Sequence, residues 1–260
     1  FFLNAFMRVT DKNKIGRSNR KSSDEKKIVN QKNKVIDELS NSFSTFKNKQ
    51  AYFSSRQFIT RILYYNEIYK NILNKPGVIM EFGVECGASL SLLTKLRSIY
   101  EPFNFSRKVI GFDTFTGFSN NLIDKEKKIG WKKGDYSTPK NYEKSLEKLM
   151  LLEEQLSPLS HIKKFELIKG DASKTVKKYL NDNIQTVISL AIFDMDIYQP
   201  TKEVLLTIKN RLFKGSVLVF DELNDKDFPG ETMALLETIG LNNLELKSFH
   251  GESFGCWVVL

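Results

Sequence analysis

Cysteine is nearly absent from the 260-residue sequence, which has only Cys86 and Cys256. A disulfide framework is thereby excluded, and a reducing, cytoplasmic compartment is the expectation. Histidine is as scarce: His161 and His250 stand alone, with no cluster of metal-ligating neighbours, and read as bystanders. No apolar run reaches the ~18–20 residues that a membrane span requires. The opening FFLNAFMRVT is too short and too interrupted for a secretory signal peptide. Position 1 is not an initiator Met, so the natural N-terminus is expected to lie upstream. No repeat of fixed period is present.

The shortage of acids is local. The chain carries 40 Lys and Arg against 31 Asp and Glu, a net +9. Residues 1–50 hold nine Lys and three Arg against five acids, so +7 sits in this stretch and +2 in the other 210 residues. The basicity belongs to a Lys/Asn/Ser-rich leader, residues 1–50, and not to the body, residues 51–260. A solvated, mobile leader is the plain reading, and a contact surface for an anionic partner is the sharper one. Nucleic-acid binding is not expected, because no recognised binding motif accompanies the charge. With 41% hydrophobic and 27% charged residues, the chain can bury a sizeable core.

Residues 52–74 place Phe58, Ile59, Ile62, Leu63, Ile68 and Ile72 at helical spacing, and Pro76-Gly77 ends the run. Strands and helices then alternate. Strands are predicted over 78–83, 108–115, 165–171, 186–196 and 215–223. Helices are predicted over 88–100, about 140–155, after 171, and over 201–212 and 231–240. Two strands, 244–250 and 255–260, close the chain with no helix between them. Continuous apolar strands separated by helices predict a parallel sheet covered on both faces. A short loop cannot make a parallel crossover, so the last strand is expected to insert antiparallel. This is the pattern of the class I methyltransferase sheet: a Rossmann-like, seven-stranded α/β fold, here with an N-terminal helical extension. In such sheets ligands bind beyond the carboxyl ends of the strands.

The first predicted strand ends in Glu81-Phe82-Gly83-Val84-Glu85-Cys86-Gly87-Ala88-Ser89. Gly83 permits a tight turn, and Gly87 lets the next helix approach the sheet with its N–H groups facing a ligand. A plain strand-to-helix turn is the alternative. Asp113, 26 positions after Gly87, ends the second strand and can accept hydrogen bonds from ribose hydroxyls, or serve as a turn residue. Gly170-Asp171-Ala172-Ser173 ends the third; Asp171 can sit by an adenine amino group, or N-cap the next helix. Asp194-Met195-Asp196 and Asp221-Glu222 end the fourth and fifth. Four converging carboxylates repel one another unless a cation lies among them. Oxygen ligands without His or Cys suit Mg²⁺. Helix capping or pairing with Lys is the competing reading for any single acid.

Taken together, Glu81-Phe82-Gly83-Val84 with Gly87, GFDTFTGF (111–118), FDMDIYQPT (193–201) and FDELNDKDFPGE (220–231) resemble the macrocin/mycinamicin/novobiocin-type sugar O-methyltransferases. The resemblance runs in order over about residues 56–260. It implies an S-adenosylmethionine-dependent and Mg²⁺-dependent enzyme that methylates deoxysugar hydroxyls. It implies that Glu81, Phe82, Gly83, Gly87 and Ser89 belong to the turn around the methionine part of the cofactor. Asp113 and Thr114 then face its ribose, and Gly170, Asp171 and Ala172 its adenine side. Asp194, Asp221 and Glu222 are implied as metal ligands, with Asp194 also bordering the cofactor. Many members have Asp-Asp where this chain has Asp221-Glu222.

A sugar hydroxyl is a poor nucleophile while protonated, so its methylation calls for a metal, a base, or both. Asp196, two residues past Asp194 and so expected on the same side of an extended strand, is the candidate base, with Asp194 beside it. The polar loop 117–139 holds Lys125, Lys127, Lys128, Trp131, Lys132, Lys133 and Tyr136. It reads as a solvated loop, or as a lid whose aromatic residue covers a sugar and whose lysines attract an attached phosphate. The expected partner is a small sugar or glycoside; assembly into a homo-oligomer stays open. Two other readings remain: a different small acceptor, such as a phenol or an acid, and a non-catalytic S-adenosylmethionine-binding protein of polysaccharide assembly.

Overall fold

The apolar runs become strands because each is flanked by turn-forming residues and is too short for a helix of useful length. The computed structural model describes residues 23–42, 54–251 and 255–260. Two compact units result, Phe1–Arg61 and Ile62–Leu260. In the first, the described residues form helix α1 (Ser23–Ser42) and the start of α2 (Arg56–Lys70). The rest of the basic leader, 1–22 and 43–50, lies outside the described residues.

The second unit contains the sheet. In chain order its elements are β1 (Val78–Phe82), α3 (Ala88–Tyr100), β2 (Val109–Asp113), α4 (Asp124–Ile129), α5 (Tyr142–Gln155), β3 (Phe165–Lys169), α6 (Ala172–Asp182), β4 (Ile188–Phe193), α7 (Tyr198–Ile208), β5 (Val217–Phe220), α8 (Gly230–Thr238), β6 (Lys247–Ser248) and β7 (Cys256–Val259). The strand order is β3-β2-β1-β4-β5-β7-β6. The first five strands pair in parallel, and β7 lies antiparallel between β5 and β6. This is the class I methyltransferase topology that the alternating pattern predicts.

Successive residues of a buried strand face opposite layers, and β1 shows it. Met80 and Phe82 pack with α6, α7 and α8, through Val176, Val204 and Ala234. Ile79 packs with α2, α3 and α5, through Tyr65, Leu93 and Leu146. The parallel register aligns Phe82 with Phe112 and with Phe193, and Phe193 with Phe220. Their rings stack at 5.1–5.4 Å in the row Phe112–Phe82–Phe193–Phe220, all fully buried. The residues just past this row are Asp113, Gly83, Asp194 and Asp221.

Four expectations need correction. The buried face of α2 consists of Tyr64, Tyr65, Ile68 and Tyr69, whereas Phe58, Ile59 and Leu63 are exposed. A tyrosine buries its ring and still satisfies its hydroxyl, as Tyr69 does by donating to Glu101 at 2.7 Å. The penultimate strand is only two residues long, and β4 stops at Phe193, short of Asp196. Segment 117–139 contains α4 and is packed by its own aromatic residues, so the solvated-loop reading fails. Among the described residues, no helix is long and apolar enough to cross a membrane.

Candidate active site

The turn after β1 is shaped by glycine. Gly83 has φ +93°, and a Cβ there would lie 1.8 Å from the Asp194 carbonyl oxygen. Gly87, at φ +76°, caps α3 and would place a Cβ 2.6 Å from Leu146. Only glycine takes these dihedrals without strain and leaves the room. The backbone of this turn therefore runs directly against the end of β4. Glu81 and Phe82 are fully buried beneath it, and Ser89 is buried in the first turn of α3.

Asp113 braces the same turn. Its Oδ2 accepts the N–H of Val84 at 2.7 Å and of Glu85 at 2.8 Å. Its Oδ1 accepts the N–H of Phe115 at 2.5 Å. The turn-residue reading is thus realised, and of the carboxylate's roughly four acceptor sites one on Oδ1 is left for a ligand. Thr114 is engaged locally, donating to the Gly117 carbonyl at 2.9 Å and accepting from the Thr116 N–H at 3.2 Å. Asp171 N-caps α6: its Oδ1 accepts the Ser173 N–H at 3.1 Å and the Ser173 hydroxyl at 2.8 Å. Gly170, at φ +142°, turns the chain into that cap, and Ala172 is buried behind it.

The ends of β4 and β5 carry the acids. One carboxylate oxygen from each of Asp194, Asp221 and Glu222 lies within 4.8 Å of the others. Asp221 and Glu222 are buried and Asp194 is half-buried. Burial pushes the Glu222 carboxyl well above its usual range, and the charges of Asp196, Asp221, Glu231 and Asp194 add to the shift. Asp196 meets this cluster by a different route from the one expected. It follows the strand in a left-handed conformation, φ +63°, within a turn closed by the Ile197 N–H donating to the Met195 carbonyl at 2.6 Å. Strand alternation does not apply in such a turn.

Three contributors escape the sequence reading. Glu231, in the first turn of α8, is fully buried, and its Oε2 accepts the Glu222 N–H at 3.3 Å. Glu126 in α4 is buried too; its Oε1 accepts the Tyr198 N–H at 2.7 Å and its Oε2 the Ile123 N–H at 2.8 Å. An acid in the first turn of a helix reads as an ordinary partner of the helix dipole, so neither is conspicuous. The third is the packing of segment 117–139 itself. Phe118, Leu122 and Trp131 join Ile197 and Phe228 in one buried cluster, and Trp131 donates through Nε1 to the Asp227 carbonyl at 3.0 Å. Trp131 is thus occupied as an anchor and is no open platform for a sugar. The half-buried Tyr136 packs on Phe118 and Trp131, with its hydroxyl in the field of Asp196, Glu222, Glu85 and Asp194. Lys125, Lys127, Lys128, Lys132 and Lys133 are exposed around this cover, as are His161 and His250 elsewhere. Cys86 is half-buried in the β1–α3 turn, where burial first and the Glu85 charge next push its thiol up to about 11.

No family model and no curated protein matches the sequence. Solved structures do. The crystal structure of CalS11, a calicheamicin methyltransferase, shares 34% identity at a TM-score of 0.85, covering 96% of this chain and 99% of that one. The apo structure of CalS11, described as a TDP-rhamnose 3′-O-methyltransferase, also shares 34% identity, at a TM-score of 0.78 over 92% and 96% of the two chains. The O-methyltransferase NovP, at 14% identity and a TM-score of 0.58 over 77% and 79%, shares the fold. Together with the strand order and the motifs at the strand ends, this likeness over nearly the full length shows that the chain belongs to the class I S-adenosylmethionine-dependent sugar O-methyltransferases.

Proposed function

We propose that this enzyme methylates a hydroxyl of a nucleotide-linked deoxysugar or a related glycoside, with Mg²⁺ held by Asp194, Asp221 and Glu222. The observation that carries the metal is the spacing of these three carboxylates within 4.8 Å, two of them buried. A hard divalent ion fits an all-oxygen donor set, and it would cancel the repulsion that raises the Glu222 carboxyl. The β1–α3 turn fits the cofactor: Gly83 lets it lie directly against the end of β4, and it leads into the N-terminus of α3, whose first N–H groups suit an anionic group of the ligand. When bound, S-adenosylmethionine supplies a methyl group on a sulfonium, and Mg²⁺ supplies Lewis acidity toward the acceptor hydroxyl.

The chain's own residues do the rest. The turn Glu81-Phe82-Gly83 to Gly87 and Ser89 holds the methionine part. Asp113 keeps that turn in shape and offers Oδ1 to the ribose beside Thr114. Gly170, Asp171 and Ala172 border the adenine. Asp196, held in its turn, accepts the hydroxyl proton as general base. The lysines exposed around the cover favour an acceptor that carries phosphate, such as a nucleotide sugar. The near absence of cysteine supports a cytoplasmic setting. The test is transfer of label from S-adenosylmethionine to a panel of nucleotide sugars, with and without chelator. Label reaching phenols but no sugar would overturn the acceptor class, and full transfer in excess chelator would overturn the metal.

A further inference from the structure

The carboxylate cluster has a member that the proposed ligand set leaves without a role. Glu231 is fully buried in the first turn of α8. Among the described residues it forms no ion pair, and its Oε1 accepts no hydrogen bond. Its carboxyl instead meets the main chain. Oε2 accepts the Glu222 N–H at 3.3 Å, and the Asp196 N–H faces the same carboxyl. One of these amides follows β5 and the other follows β4. The side chain thus bridges the two strand ends that carry the acids.

The residue before it is shaped for the same contact. A Cβ on Gly230 would lie 2.4 Å from the Asp196 carbonyl oxygen and 2.5 Å from the Tyr198 nitrogen. Both are backbone atoms that cannot swing aside, so the start of α8 is pressed against the β4 turn. A fourth or fifth acid at this point is a poor choice for stability, because burying like charges together is costly. An apolar residue would close the same gap more cheaply, but it could not accept the Glu222 N–H.

We propose that Glu231 is a positioning residue: standing between the Asp196 turn, against which the start of α8 is pressed, and the Glu222 amide from which it accepts, it ties the two strand ends and so sets the spacing between the catalytic turn and the cation-binding carboxylates. Its consequence for metal rests on the function proposed above; the tie itself does not. In the full-length protein, three substitutions separate the possibilities. Glu231→Gln keeps an acceptor oxygen at full reach and removes the charge. Glu231→Asp keeps the charge and loses the reach. Glu231→Ala loses both.

Two measurements suffice, neither of them turnover. Amide hydrogen exchange, followed by mass spectrometry on peptides covering 194–198 and 220–224 without added metal, reads the tie directly. Exchange should stay slow in Glu231→Gln and rise about tenfold or more in Glu231→Asp and Glu231→Ala. Calorimetric titration with Mn²⁺ reads the consequence: affinity should be held in Glu231→Gln and fall about 10–100-fold in the other two, as for residues that orient metal ligands from behind. S-adenosylmethionine affinity should be unchanged throughout. If Glu231→Ala does not fold, the Gln and Asp variants decide alone. Unchanged exchange in Glu231→Asp would overturn the tie. Mn²⁺ loss in Glu231→Gln with affinity kept in Glu231→Asp would make Glu231 a charge donor, which also overturns it. Failure of the wild-type protein to bind Mn²⁺, with the exchange pattern as expected, would remove the metal reading and leave the tie standing.

Discussion

Asp113→Asn separates a cofactor contact from a structural brace. Three main-chain N–H groups, those of Val84, Glu85 and Phe115, converge on two carboxylate oxygens. Asparagine has one oxygen. Placed at Oδ2, it keeps the two amides of the β1–α3 turn and points its NH₂ at the Phe115 donor. Flipped, it keeps Phe115 and sets its NH₂ against two donors. The better arrangement still loses one charge-assisted hydrogen bond and weakens two. A hydrogen bond to a charged group contributes about 1.5–3 kcal/mol, and the site is half-buried, so a loss of about 2 kcal/mol of folding stability is expected. For a domain of this size that is a fall in Tm of roughly 4–8 °C. The assay is scanning calorimetry of the cofactor-free protein, paired with titration of S-adenosylmethionine. A residue that only binds ribose would leave the cofactor-free Tm where it was. A change below about 1 °C in Tm, with weakened cofactor binding, would refute the brace.

Three further expectations follow from the same geometry. Chelator should abolish turnover and spare S-adenosylmethionine binding, and Mg²⁺ should restore it; Asp221→Asn should mimic the chelator, while Asp196→Asn should keep Mn²⁺ binding and lose about 10²–10⁴ in rate, so equal metal loss in both would make Asp196 a ligand. The Glu222 and Glu231 carboxyls lie above their unfolded value of 4.5, so the folded protein holds more protons than the unfolded chain above that pH. Without metal, stability should therefore fall as pH rises from 4.5 toward the raised values, and Mg²⁺ should raise Tm more at pH 8 than at pH 5.5; a Mg²⁺ effect on Tm that is the same at both would contradict the cluster electrostatics. Deleting residues 1–50 should leave the Tm of the sheet-bearing unit within about 2 °C, since that unit has its own core; a larger fall would make the leader part of it.

The strands were legible because buried parallel strands are continuous apolar runs, and VIMEF, VIGFD, ISLAIF and VLVF are such runs. Acids at the ends of two of them could be expected to converge, since parallel strands bring equivalent ends to one edge. What could not be read depends on where the backbone points. That the amides of Val84 and Glu85 aim at Asp113 is a property of the folded turn. Asp196 reaches the cluster through a left-handed residue, which no periodicity encodes. Glu231 and Glu126 look like first-turn helix acids until burial shows that their oxygens hold other segments. In α2, hydropathy ranked isoleucine and phenylalanine above tyrosine, yet tyrosine fills the interface because its hydroxyl finds partners such as Glu101.

The four stacked rings of Phe112, Phe82, Phe193 and Phe220 work as a ruler under the site. Each ring immediately precedes one residue of the rim, so the distance from the donor side to the acidic side is counted in whole ring spacings, not set by any loop. Segment 117–139, which covers the rim, attaches through Trp131, Phe118 and Glu126 and leaves the ruler alone. That cover can therefore be rewritten while the pitch of the strand ends beneath stays fixed. A graft of segment 117–139 should leave the phenylalanine row and its spacing untouched.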